Sequence, residues 1–345
     1  MTRTRVTMQA IADELGITKV SVSKALRGQD GVSDDLRRRI VEKARALGYV
    51  RKDNGSSAAV KHLGFIEPRK YFLESGDFFT QIYYHLLQRC SSKRIRLHLH
   101  VLSEEEETSP NAPFPFEQEA MDGIFIGGEL ERECLERLKT FRIPIIAIGF
   151  YDADNAIDSV IVDDYYNSNR ITNQLARMGH TRIGFLGDHR CAMSALDRYF
   201  GFLKGLEENG LEYHPEWLIS DIDEHGRSIV DYQLPQALPT AFICHSDFAA
   251  FNLRLKLEKL GMQIPQDMAI ATFDNTERAA ESGAVITLDV TGDRFAHAAI
   301  QRMLWRYSNI DAEHHRVILD APLIVHSPGT QQIAETRGAS RTPAT

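Results

Sequence analysis

The 345-residue sequence is poor in cysteine, with four, and in tryptophan, with two. Cys90, Cys134, Cys191 and Cys244 are widely spaced and form no CxxC pair, so they encode neither a disulfide framework nor a thiolate metal cage. They are expected to be free thiols, mostly in the core. His314-His315 has no partner at ligand spacing, so no metal is expected there. No run approaches the ~20 apolar residues of a membrane span. The N-terminus lacks a basic-then-apolar signal pattern, so the chain is expected in the cytosol, with no membrane partner. There is neither a glycine-rich phosphate cradle nor a GxSxG nucleophile elbow, so no cofactor and no catalytic residue are assigned. Basic charge is also short overall, at 40 Lys and Arg against 48 Asp and Glu, which by itself argues against nucleic acid.

That deficit is unevenly spread. Residues 1–61 hold 13 basic and 7 acidic side chains, whereas the rest hold 27 and 41. A basic head on an acidic body suits a DNA binder with a separate sensing module, because the head alone attracts phosphate. Within the head, Thr7 caps a first helix with Met8, Ile11, Ala12 and Leu15 on one face, and Gly16 ends it. Thr18 caps a second helix that hides Val22, Ala25 and Leu26 and leaves Lys19, Val20, Ser21, Ser23 and Lys24 outward. A third helix starts at Ser33 and is expected to bury Leu36, Ile40, Val41, Ala44 and Leu47. Two short helices across a tight turn, braced by a third, form a helix-turn-helix whose second helix fits the major groove.

From residue 62 apolar runs alternate with amphipathic segments. Strands are expected at 62–67, 95–101, 123–128 and 143–149, then at 181–187, 239–245, 268–273 and 284–288. Helices are expected near 78–92, 130–141, 165–178, 194–209 and 246–260. This pattern predicts two α/β lobes, each a doubly wound parallel sheet. The acidic, Pro-rich stretch 103–119 reads as an exposed loop, and the polar tail as disordered and without coiled-coil heptads. The expected domains are a helix-turn-helix over 1–49, a linker over 50–61, a two-lobed domain over 62–327 and a tail over 328–345.

The head, in VTMQAIADELGITKVSVSKAL and GVSDDLRRRIVEKARALGY, closely resembles the lac-repressor (LacI/GalR) family. The body resembles the family's periplasmic-binding-protein-like sensor in MDGIFIGG, IPIIAIG, GHTRIGFLG, LDRYFGFLKGL, PTAFICHSDFAA and IPQDMAIATFDN. The resemblance covers roughly residues 5–327, and the order and spacing of its pieces make it specific. It implies base-edge contacts at Lys19, Val20 and Lys24, which can donate to guanine or pack on a thymine methyl. Thr7, Thr18, Ser21, Ser23, Arg27 and Ser33 suit phosphate oxygens, with local capping as the alternative for the hydroxyls. It further implies a homodimer on a near-palindromic double-stranded operator. The linker VRKDNGSSAAVKH departs from the family, being shorter and without its leucine wedge. Central-step kinking is therefore expected to be weak or absent, unless Val60 or Leu63 replaces the wedge.

The resemblance also places an effector cleft between the lobes, with Arg198 as its arginine and Asp274 as its carboxylate. His245 and Ser246 take the neighbouring ligand-facing position, and Asp247 is expected to cap the following helix. Phe78 and Phe79 open the helix after the first strand, where they either stack on the ligand or belong to the core. Gly149 stands where many members keep an aspartate, so Tyr151 and Asp152 are candidates to replace it, and Glu129 is a further one. Aromatic and acidic lining with one arginine suits a neutral, hydroxyl-rich ligand, a sugar first and a purine second. The expected function is a ligand-responsive transcriptional repressor of a carbohydrate-utilisation operon. The alternatives are a purine-responsive or protein-responsive regulator, and an enzyme with a DNA-binding head.

Overall fold

The computed structural model describes residues 7–26, 32–46, 61–73, 78–109, 112–114, 121–223 and 228–326. Arg27, Leu47, Val60, most of the linker and the tail lie outside them, so the expectations for those residues are not addressed. The chain divides into two compact units, residues 1–59 and 60–345.

The first unit is helical. Thr7 caps α1 (Met8–Leu15) by accepting from Ala10 N at 3.2 Å, and Gly16 ends it in the left-handed region. Thr18 accepts from Ser21 N at 3.1 Å at the start of α2 (Lys19–Leu26). Ser33 accepts from Leu36 N at 3.4 Å at the start of α3 (Asp34–Ala46). Ile11, Ala12, Val22, Ala25, Ile40 and Ala44 form the core. Val41, expected inside, is 41% exposed because it falls one residue past the Ile40–Ala44 stripe.

The second unit holds two six-stranded sheets. The first lobe is built from β1 (Lys61–Pro68), α4 (Arg69–Leu73), α5 (Phe78–Ser91), β2 (Ile95–Leu102), α6 (Glu104–Thr108), β3 (Gly123–Gly127), α7 (Arg132–Lys139), β4 (Ile145–Ile148) and β5 (Asp158–Val162). The second contains α8 (Asp164–Arg177), β6 (Ile183–Leu186), α9 (Met193–Glu208), β7 (Leu218–Ile219), β8 (Ala241–Cys244), α10 (Asp247–Lys259), β9 (Ala269–Ala271), α11 (Glu277–Ser282) and β10 (Ile286–Leu288). Then α12 (Gly292–Ser308) packs back on α5, β4 and β5, and β11 (Arg316–Leu319) pairs in parallel with β5 of the first sheet. Last, β12 (Leu323–Val325) pairs antiparallel with β10 of the second. The orders are β11-β5-β4-β3-β1-β2 and β12-β10-β9-β8-β6-β7, so each sheet reverses direction beside its first strand, at β1/β3 and at β6/β8.

The eight expected strands and five expected helices of this unit are present; α4, α6, α11, α12, β5, β7, β11 and β12 were not foreseen. The stretch 103–119 is not simply an exposed loop where it is described. Ser103 and Glu106 form a reciprocal cap on α6, and Glu107 and Phe114 are buried. Leu63 is fully buried in β1, so it is sheet core and cannot serve as a DNA wedge. The return of the chain is held by Asp158, fully buried, which accepts from Arg306 Nε at 2.7 Å, from Arg302 and from His315 N at 2.9 Å. Close packing of α9 on α8 depends on Gly201, where a Cβ would stand 2.1 Å from Tyr165 O.

Glu67, near the end of β1, is fully buried, and among the described residues neither carboxylate oxygen has a hydrogen-bond partner. Burial pushes its carboxyl up from 4.5 to about 8. The stability it contributes is therefore complete below about pH 4.5 and declines as pH rises through about 8. Glu67→Gln cannot ionise, so it is expected to change the melting temperature little at pH 4 and to raise it by several degrees at pH 8.5. Thermal melts showing the same shift at both pH values would mean that ionisation of Glu67 is not the cause.

Candidate functional site

A cavity of about 600 Å³ opens where the carboxyl ends of the two sheets face each other, bordered by residues that follow β1, β6 and β8 at the reversal points of both. Doubly wound sheets place ligands at such points, because the chains leaving neighbouring strands diverge there. The first lobe supplies an aromatic wall. Phe78 meets Phe79 edge-on at 5.2 Å and Phe295 of α12 at 5.5 Å, and Phe79 lies 5.5 Å from Tyr71. Phe78 and Phe79 line the cavity and also pack on the core.

The second lobe supplies a charged wall around Arg198. Its Nε donates to Asp164 Oδ1 at 2.7 Å, a terminal nitrogen donates to His245 O, and the other lies 3.8 Å from Asp274 Oδ1. The guanidinium rests on the face of Phe273 at 4.3 Å. Burial raises the Asp164 pKa against the opposing pull of Arg198. Burial and the neighbouring Asp247 push Asp274 up to about 6, again opposed by Arg198.

Asp247 does not cap α10; Ser246 does, accepting from Ala249 N at 3.2 Å. Asp247 is buried at the first helical position and organises the loop after β9. Its Oδ1 accepts from Thr272 Oγ1 at 2.7 Å and from Asp274 N at 3.2 Å, and its Oδ2 accepts from Thr276 N at 2.7 Å and Thr276 Oγ1 at 2.8 Å. This loop, in turn, places Asp274 beside Arg198. His245 also lines the cavity, with Nε2 2.9 Å from Asp221 Oδ2. Asp188, after β6, is clasped by Arg190 through Nε at 2.9 Å and a terminal nitrogen at 2.6 Å, and accepts from Ser220 Oγ at 3.0 Å.

Six of the nine sequence-derived cleft residues thus meet on one cavity: Phe78, Phe79, Arg198, His245, Ser246 and Asp274. The other three are used elsewhere. The Asp152 carboxylate is buried 3.0 Å from Lys139 Nζ and accepts from Ala156 N at 2.7 Å, which fixes its own turn. Glu129 and Tyr151 bridge the lobes. Glu129 Oε2 accepts from Met193 N, at the start of α9, at 2.6 Å, and Tyr151 donates to Asp197 Oδ2 at 3.3 Å. Asp164, Asp188, Asp221 and Phe273 had not been singled out. Asp164 directly follows the cap Asp163 and reads as an ordinary acidic first turn.

In the head, Lys19 and Val20 are exposed and Lys24 is half-buried one turn beyond Val20. Thr7, Thr18 and Ser33 cap their helices, but capping uses an oxygen lone pair and leaves the hydroxyl hydrogen available as a donor. Thr18 and Ser21 also share a hydrogen bond of 2.9 Å, and Ser23 is half-buried.

The periplasmic binding protein-like domain family matches residues 172–327. The HTH-type transcriptional repressor PurR of Actinobacillus pleuropneumoniae serotype 3 is 25% identical over 276 residues, covering 78% of this chain and 81% of the relative. PurR of Haemophilus influenzae (strain PittEE) is 24% identical over 332 residues, 92% of this chain and 97% of the relative. A transcriptional regulator CelR–cellobiose complex shares the fold with a TM-score of 0.63 at 19% identity, covering 93% of this chain and 99% of that one. So does the lac repressor dimer bound to operator and the anti-inducer ONPF, with a TM-score of 0.61 at 17% identity over 93% of this chain and 98% of that one. The helical head and the two parallel-sheet lobes thus share the fold of these solved regulators, and the chain is similar in sequence to the PurR repressors over most of its length.

Proposed function

We propose that the chain is a ligand-responsive, sequence-specific DNA-binding transcriptional repressor whose DNA affinity is set by a small molecule bound between the sensor lobes. The observation that carries this reading is the cavity itself. A chain with a helix-turn-helix head also holds a half-buried Arg198 on α9 and Asp274 after β9, across the cavity from an aromatic wall. The curated relatives are named as transcriptional repressors and not as enzymes.

The effector in this reading is a sugar. A pyranose offers an apolar face to Phe78 and Phe79 and a ring of hydroxyls to Arg198, His245, Ser246 and Asp274, which matches the two walls. One solved relative is a complex with cellobiose. A purine is the second reading, favoured by the relatives named PurR.

Lys19, Val20 and Lys24 contact base edges, and Thr7, Thr18, Ser21, Ser23, Arg27 and Ser33 contact phosphates. Two chains pair over a near-palindromic operator, since one head contacts too few bases for selectivity. Exposed Tyr84 and Leu87 on α5 and Leu255 on α10 supply apolar surface for that pairing.

A thermal-shift screen of the full chain against cellobiose, ribose, glucose, guanine and hypoxanthine tests the effector class. A ligand that binds only the folded state raises the melting temperature. A shift with sugars and none with bases is expected, and the reverse would replace the sugar reading with the purine one. Arg198→Ala is expected to weaken any such ligand at least about tenfold while leaving operator affinity unchanged. A surviving ligand response would move the site elsewhere.

For the head, an operator is first selected from random duplexes with the full chain. Lys24→Ala is then expected to reduce affinity for that operator by about tenfold or more, the value of one base contact. Loss on random duplex should be much smaller, and equal losses on both would assign Lys24 to phosphate alone.

A further inference from the structure

His245 follows β8 and is held by neighbours on several elements. Its amide donates to Leu186 O at 2.8 Å, and its carbonyl accepts from Arg198. Against its ring lies Gly187, at φ +147°, where a Cβ would stand 2.8 Å from the imidazole Cγ and Cδ2. Any larger residue at 187 would be strained and would push the ring away. Nε2 is 2.9 Å from Asp221 Oδ2. A carboxylate only accepts, so Nε2 carries a hydrogen and donates it. Asp221 is itself buried, and its segment is pinned by Ile229 N donating to Asp221 O at 2.7 Å and by the bridge between Ile222 and Ser228. Among the described residues, Nδ1 of this cavity-lining histidine has no protein partner.

We propose that Asp221 is a positioning residue, seating His245 so that Nδ1 is the group with which the cavity reads an oxygen of its ligand. This rests on the effector reading above and deepens it. The oxygen belongs to a hydroxyl of a neutral sugar or to the carboxylate of a sugar acid; both accept from an imidazole N–H.

The charged groups facing the ring are Asp221 from the segment after β7, Arg198 from α9 and Asp274 from the loop after β9. Asp188, after β6, is engaged with Arg190. Burial by itself would lower the His245 pKa. The charge and hydrogen bond of Asp221, with Asp274, outweigh burial and Arg198 and raise it from 6.5. Nδ1 therefore carries its hydrogen below this raised pKa and loses it as pH rises through that value, becoming an acceptor only. The seat thus keeps the donor in place to a higher pH than burial alone would allow.

The test uses the full chain with 15N-labelled histidine, as wild type, Asp221→Asn and His245→Gln, the last to assign the signal. Nitrogen spectra across pH 5–9 report the protonation of each ring nitrogen. The expected result is Nε2–H at high pH in the wild type, and a titration midpoint lower by about one pH unit or more in Asp221→Asn. Equal midpoints in wild type and Asp221→Asn, or an Nδ1–H form at high pH, would overturn the seat.

Cellobiose and cellobionate then serve as probes by calorimetry at pH 6 and 8.5. Binding that weakens by about tenfold at the higher pH in wild type, with a flatter profile in Asp221→Asn, supports the proposal. Such a profile for cellobionate alone identifies a carboxylate as the oxygen read, and for both probes a hydroxyl. A pH profile identical in both proteins overturns it. Binding of neither probe, with midpoints as expected, would leave the seat in place and remove these sugars as what it reads. Arg198→Ala separates the two readings, since it should abolish probe binding without restoring the ordinary His245 midpoint.

Discussion

The largely buried Arg198 guanidinium draws three segments of the second unit together. A buried cation is costly unless its N–H groups are paired, and its partners here come from three separate places. Asp164 opens α8, the His245 carbonyl ends β8, and Asp274 follows β9. These three chain segments must therefore converge on one side chain of α9, which itself lies close against α8 through Gly201. Asp274 is in turn placed by Asp247, whose two oxygens hold Thr272, Thr276 and the Asp274 amide. A ligand that takes a hydrogen bond from Arg198 or gives one to Asp274 consequently competes with bonds that shape three strand ends at once.

The first lobe is bound to this arrangement at α9. Glu129 satisfies the amide of Met193, one of the orphan donors at the helix start, and does so from the other side of the cleft. Tyr151 reaches Asp197 one turn further along. Both had been expected from the sequence to touch a ligand. In the structure they tie the walls of the cavity together. The cavity can be described as an aromatic wall and a charged wall joined along the N-terminal half of one helix.

How much of this was legible in the sequence depends on the range of the signal. The helix-turn-helix is local, and caps such as Thr7, Thr18 and Ser33 stand within three residues of the amides they serve. The central strands are continuous apolar runs and could be read directly. Short edge strands such as Leu218–Ile219 and Leu323–Val325 are too brief for any periodicity to emerge. The buried stripe of α12, Phe295, Ala296, Ala299, Ile300 and Met303, includes two alanines on a weakly amphipathic helix, so it escaped notice. The return of β11 to the first sheet is fixed by Asp158 reaching Arg306, 148 residues away, a pairing that no local pattern encodes. The same holds for Asp221 and His245, 24 residues apart. Arg198 and Asp274 were found only because the family resemblance supplied their spacing.

These ranges bear on how a small molecule can act on the whole second unit. Allosteric coupling of about 1–3 kcal/mol is typical, and a hydrogen bond to a charged group contributes about 1.5–3 kcal/mol. The Glu129 bond to the start of α9 is of that kind: charge-assisted, partly buried and crossing the cleft. Losing or keeping this single contact is therefore large enough to set the preference between two placements of the lobes, with no rearrangement of either sheet. The central strands of both sheets are buried on both faces, and such close-packed interiors deform little. At the proposed effector site, a ligand held between Phe78 and Phe79 on one side and Arg198 on the other would act directly across the contacts between the walls.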